Sequence, residues 1–199
     1  MDRYRAHTRP ATALLAGALA CLAAGGAAAQ AEFPFTRGLG RAAVQYRNDD
    51  MHVVAAYYYS QQNHDSRWLL IQAAVSTTRL TTIRRDAFML RTPAGREIPL
   101  ASQTRVGEDV QRIRLLLQNA ATQRHNVTSY FNQRDRTTSM RFFTLPFGGV
   151  VHDEFVVDSH QVAVGDLFFE APTGRWEDGT YALVVRHEDG QAEVPIELE

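Results

Sequence analysis

Four residues of one short stretch could do metal chemistry: His152, Glu154, Asp158 and His160 share one parity. In an uninterrupted strand, side chains of one parity face the same way. Two imidazoles and neighbouring carboxylates on one face are a donor set for zinc or another transition metal. Distance limits this reading. At about 3.3 Å per residue, His152 and His160 stand roughly 27 Å apart in a straight strand. One ion reaches both only if Asp158-Ser159 turns, and a turn removes the shared face. His152 with Glu154, or Asp158 with His160, could still act as pairs with ligands from elsewhere. A metal-assisted hydrolase built on these residues is therefore an alternative reading.

Three other patterns are weaker. Asp158-Ser159-His160 has the residue types of a hydrolase triad, but adjacent strand residues point to opposite faces and cannot relay protons among themselves. The chain has no G-x-S-x-G and no H-E-x-x-H. Gly38-Leu39-Gly40-Arg41-Ala42-Ala43 matches part of a dinucleotide fingerprint, yet the residues after it read as a strand where that chemistry needs a helix. Tyr57, Tyr58 and Tyr59 with Trp68 could stack on a sugar ring; alternation makes at least one of the tyrosines a core residue.

Charge is the most informative feature. Residues 79–141 carry twelve arginines against five acids, and residues 142–199 carry two arginines against twelve acids. Neighbouring strands could neutralise each other by cross-strand pairing. Separate charged faces could instead drive self-assembly as a structural subunit. A third possibility is that the basic stretch grips an anion. Between residues 123 and 143, Arg124, Arg134, Arg136 and Arg141 alternate with Tyr130, Phe131, Phe142 and Phe143, and residues 125–139, poor in aliphatics, read as a long exposed loop. These four arginines are the candidate binding residues. An acidic chain argues against nucleic acid as the partner, which leaves a protein or an anionic component of the cell envelope.

The elements that must position these residues are mostly strands. Apolar and β-branched runs recur at 51–60, 67–76, 83–91, 97–100, 162–170, 180–187 and 192–198, separated by turn residues. Thr92-Pro93-Ala94-Gly95 reads as a hairpin turn. Val106, Val110, Ile113, Leu117 and Ala120 recur at helical spacing, which predicts one amphipathic helix over 106–121 with Glu108 and Asp109 near its N-terminus. The expected fold is mainly β: an antiparallel sandwich with one inserted helix, forming a single domain over 32–199. The stretch Asp86-Ala87-Phe88-Met89-Leu90-Arg91-Thr92-Pro93-Ala94-Gly95 resembles a strand and turn of small secreted bacterial immunoglobulin-like domains. That resemblance implies an immunoglobulin-like sandwich and no activity.

Composition bounds the rest. The chain has 199 residues, 45% hydrophobic and 22% charged, which excludes a disordered chain and a polytopic membrane protein. Every basic residue is arginine, so lysine chemistry such as a P-loop or a Schiff base is excluded. Arg3, Arg5 and Arg9, an apolar run over 11–24 and a small-residue tail ending at Ala29 or Ala31 have the layout of a secretory signal peptide over 1–31. Lipidation at Cys21, the only cysteine, is the less favoured variant. The sequence therefore leads to an exported binding or adaptor domain, periplasmic or secreted. It would use no cofactor, do no chemistry of its own, and have no transmembrane span after cleavage.

Overall fold

The computed structural model describes residues 33–57, 65–146, 148–187 and 190–199. The leader, Cys21, Tyr58 and Tyr59 lie outside the described residues. Residues 35–199 form one compact unit, and it is mainly β. Among the described residues, no helix is long and apolar enough to cross a membrane.

The largest sheet has six strands: β1 (Thr36–Gly38), β2 (Ala43–Arg47), β3 (Met51–Ala56), β4 (Trp68–Thr77), β8 (Arg136–Ser139) and β10 (Gln161–Glu170), in the order β1-β2-β3-β4-β10-β8. A second sheet has the order β12-β11-β6-β7, from β6 (Phe88–Arg91), β7 (Glu97–Pro99), β11 (Gly179–His187) and β12 (Gly190–Leu198). A two-stranded ribbon joins β5 (Thr81–Arg84) to β9 (Glu154–Val157). The two larger sheets share one core. Leu69, Ile71 and Phe169 from the first meet Leu90, Leu183 and Ile196 from the second.

The run W-L-L-I-Q-A-A-V in β4 is nearly continuous in apolar residues because both faces of that strand are covered. Its odd residues enter the core between the sheets. Trp68 and Leu70 instead meet a helical layer on the opposite face, which packs Val106, Ile113, Leu116 and Ala120 against Phe168 of β10. That layer is two helices, α1 (Gln103–Glu108) and α2 (Val110–Ala121). The single expected helix thus starts earlier and breaks at Asp109. Ser102 caps α1 by accepting from the Arg105 amide. Asp109 leaves helical geometry at φ −111° and ψ 27°, and its carboxylate accepts the indole N–H of fully buried Trp68 at 2.7 Å. The side chain that would have favoured one helix N-terminus ties the joint between two to the sheet.

Three further expectations change. The strand over 83–91 is interrupted by a 3-10 turn at Arg85–Ala87. There Arg85 turns its guanidinium inward, donating to the carbonyls of Phe142 and Ala101, and the chain passes from the ribbon to the second sheet. Residues 125–139 are not a long exposed loop. A 3-10 turn, Val127–Tyr130, sets Val127 and Phe131 against β3 and β4 on the helical side of the sheet. Phe131 stacks on His52 at 4.0 Å, and burial lowers that imidazole to a pKa of about 4, keeping it neutral. Finally, the first sheet is not wholly antiparallel, because β8 runs parallel to β10.

Gly165 makes that last pairing possible. A Cβ there would lie 2.4 Å from the Met140 carbonyl oxygen, so only glycine lets the chain after β8 fold closely over β10.

Candidate functional site

The helical layer does not cover the first sheet completely. Between it and residues 139–148 lies a cavity of about 400 Å³, within the range of small-ligand sites. Val164, Asp166 and Phe168 of β10 and Gln72 of β4 contribute from the sheet. Val106, Ile113 and Leu117 contribute from the helices, and Phe143 and Leu145 from the segment after β8.

That last segment is pinned in three ways. The Gln103 amide imitates a strand, donating to the Thr144 carbonyl at 2.8 Å and accepting from the Thr144 amide at 3.1 Å. Phe143 packs edge-on against Phe168 at 5.2 Å, and the Arg85 guanidinium lies 4.6 Å from the Phe143 ring centre. A tight turn closes the end, where Gly148 donates to the Leu145 carbonyl and a Cβ would meet that oxygen at 2.8 Å. The cavity therefore has fixed walls on both sides.

Three of its polar groups meet at one place. Asp166 and Gln72 are register partners in the centre of the sheet, two polar side chains on a face otherwise built from Leu70, Ala74, Val164 and Phe168. Arg124, just beyond α2, donates to the Asp166 carboxylate. Burial nevertheless raises the Asp166 pKa, outweighing the opposing pull of Arg124. Arg141 also lines the cavity. Arg124, Asp166 and Gln72 line a second, much smaller cavity as well, of about 30 Å³, beside Leu70 and Ala120. The ion pair stands between the two spaces.

Of the four candidate arginines, all exposed, Arg124 and Arg141 line this cavity. Arg134 lies in a turn, where its amide donates to the Asn132 side chain, and Arg136 begins edge strand β8; both are exposed and neither lines the cavity. Sequence reasoning missed Asp166 and Gln72. Their signal was a lone polar residue within each of two apolar strand runs.

The residues proposed as metal ligands are placed differently. His152 and Glu154 are exposed, the latter on β9. Asp158 bridges to Gln161 and accepts the His160 amide at 2.7 Å, so residues 158–161 form a turn. That turn removes the single shared face. Among the described residues, no group of three or more His, Cys, Asp or Glu is placed to hold a metal ion. The Gly38–Ala43 fingerprint closes the β1–β2 hairpin, with Leu39 donating to the Ala43 carbonyl, and β2 follows directly. Tyr57 and Trp68 are buried at 4% and 0% exposure, as the packing reading of the aromatics expects.

Part of the charge split is neutralised internally. Arg91 pairs with Glu193, Arg105 with Glu170 and Arg124 with Asp166, each an arginine of the basic stretch with an acid of the acidic one. Arg186 pairs with Glu97 in the reverse sense. A cluster at the far end of the helical layer joins Arg67 and Arg105 to Glu170, with Arg67 also 3.8 Å from Asp109.

Compared with known proteins, the chain matches no family model, no curated protein and no solved structure.

Proposed function

We propose that this chain is an exported, non-enzymatic binding domain of the cell envelope, and that it contacts an acidic group on its partner through Arg124 and Arg141. The observation that carries this reading is that both arginines line one cavity, together with apolar groups from the helices, Phe143, Leu145 and Phe168. Concave apolar sites with a few fixed polar groups are where small ligands and ligand segments bind. A carboxylate kept in a place that disfavours its charge, beside that cavity, is the kind of perturbed group that gathers at functional sites. The immunoglobulin-like reading of the sheets rests on two sheets around one core and on the β6–β7 hairpin. Export rests on the leader of residues 1–31.

A thermal-shift screen of the full chain tests the binding reading, with polyphosphate, acidic and neutral glycans, anionic lipids, and divalent metals against an EDTA control. A ligand that binds only the folded state raises apparent stability by about 2.7 kcal/mol at a hundredfold excess over Kd. The expected result is a shift with an anionic ligand that is lost in Arg124→Gln and Arg141→Gln. A shift insensitive to both substitutions overturns the site. A shift with a metal alone overturns the non-enzymatic reading in favour of the hydrolase.

A further inference from the structure

The cavity combines apolar groups from the helices, Phe143, Leu145 and Phe168 with polar ones, Arg124 and Arg141 among them. Val106, Ile113, Leu117, Phe143, Leu145 and Phe168 offer nothing to a polar chain. Asp166, the only carboxylate in the lining among the described residues, already occupies Arg124. Two arginines and one carboxylate line the cavity; Arg124 pairs with that carboxylate, whose pKa burial raises. The arrangement is complementary to a single negative charge attached to an apolar body.

We propose that the cavity takes an organic carboxylate with an apolar tail, and that the ligand's carboxylate replaces Asp166 on Arg124. This rests on the binding reading of the same cavity. Asp166 then acts as an internal occupant of the head-group position. Because Arg124, Asp166 and Gln72 line both cavities, exchange at Arg124 removes the partition between the larger space and the smaller one beside Leu70 and Ala120. Arg141 lies beside the turn at Gly149, its Nη1 3.5 Å from the position of a Cβ there, an ordinary contact distance. The tail lies along α1 and α2, opposite Phe143, whose ring is fixed from both sides by Phe168 and Arg85.

The test uses the full chain and four probes: decanoate, decyl phosphate, decanol and acetate, with Kd read by calorimetry. Decanoate is expected to bind at least about tenfold more tightly than decanol, a difference of about 1.4 kcal/mol, while acetate binds too weakly to detect. Arg124→Gln removes that preference. Asp166→Asn strengthens decanoate binding severalfold, because a neutral amide competes less well for the guanidinium; a merely structural role for Asp166 would not tighten binding. Arg141→Gln gives a second reading of the head-group contact should Arg124→Gln fail to fold.

Equal binding of decanol and decanoate overturns the carboxylate exchange but leaves an apolar binding cavity. Binding of decyl phosphate without decanoate overturns the ligand class and leaves the arginine site standing. Failure of every amphiphile, with an Arg124-dependent shift by polyphosphate in the screen above, overturns this inference alone. If no ligand in either experiment depends on Arg124 or Arg141, both readings fall.

Discussion

Two carboxylates on one face of β10, four residues apart, are treated in opposite ways. Glu170 meets Arg105 at 2.8 Å and Arg67 at 2.7 Å, and its pKa falls, first because Arg105 hydrogen-bonds it. Asp166 has one arginine, and its pKa rises because burial outweighs that partner. The Glu170 end is a fastening, where Arg67, Arg105 and Asp109 bind the joint of the two helices to the sheet edge. At the Asp166 end a charge is held where folding alone does not favour it. The same residue chemistry on one strand thus separates a part built for stability from a part whose retained charge calls for another reason.

Phe168 lies between the two carboxylates on the same face, 2% exposed. Phe168→Ala removes the wall shared by cavity and helical layer, and should cost about 3–5 kcal/mol in urea unfolding. Such a loss would show that both ends hang on one packed ring; a loss below about 1 kcal/mol would break that connection. Next in size, Gly165→Ala forces a Cβ onto the Met140 carbonyl and should cost about 1–3 kcal/mol, with a rise in proteolysis near residue 140.

The carboxylates themselves give smaller effects of opposite sign. Glu170→Gln should lose about 1 kcal/mol at neutral pH, since these part-exposed pairs are screened by water. Glu170 is depressed in the folded chain, so its contribution is present above the ordinary carboxylate range and disappears as pH falls through its lowered value. Asp166→Asn should be neutral or gain a few tenths of a kcal/mol at pH 7, as expected where a charge is kept against the demands of folding. Asp166 is raised, so the folded state favours its proton; stability due to it is present below the ordinary range and lost as pH rises through the folded value. Unfolding curves of wild type and Asp166→Asn should therefore converge toward acid pH. If both variants lose stability with the same pH profile, the two ends are not different in kind.

Much of the fold was legible because local chemistry and tertiary context agree. The Thr92–Gly95 turn joins β6 and β7 with Gly95 donating to the Thr92 carbonyl, and the last three strands fall where alternation and glycines place them. What was illegible came from partners distant in sequence. The break at Arg85 is set by carbonyls at Phe142 and Ala101. The kink at Asp109 is set by Trp68, forty-one residues away. Val127 and Phe131, one helical turn apart, were too sparse an apolar signal to reveal that their segment is anchored. Among the site residues, Arg124 and Arg141 were found through charge and neighbouring aromatics. Asp166 was counted only as one acid among many, because an acid's burial depends on which strand pairs beside it, and Gln72 lies almost a hundred residues earlier.

That pairing also orders the assembly of the molecule in time. β4 is the longest strand on the N-terminal side of the large sheet, yet its second partner, β10, stands eighty-eight residues downstream at Val75 and Ala163, and more at the other end. Contacts of such separation form slowly. Until β10 arrives, β1 to β4 can make a four-stranded meander whose last edge is ten residues long, mostly apolar and without a charge from Trp68 to Thr77. An open edge of that kind invites pairing between chains. Newly made or refolding protein is therefore expected to need dilution or a chaperone during that interval, and a chain truncated before residue 161 should aggregate.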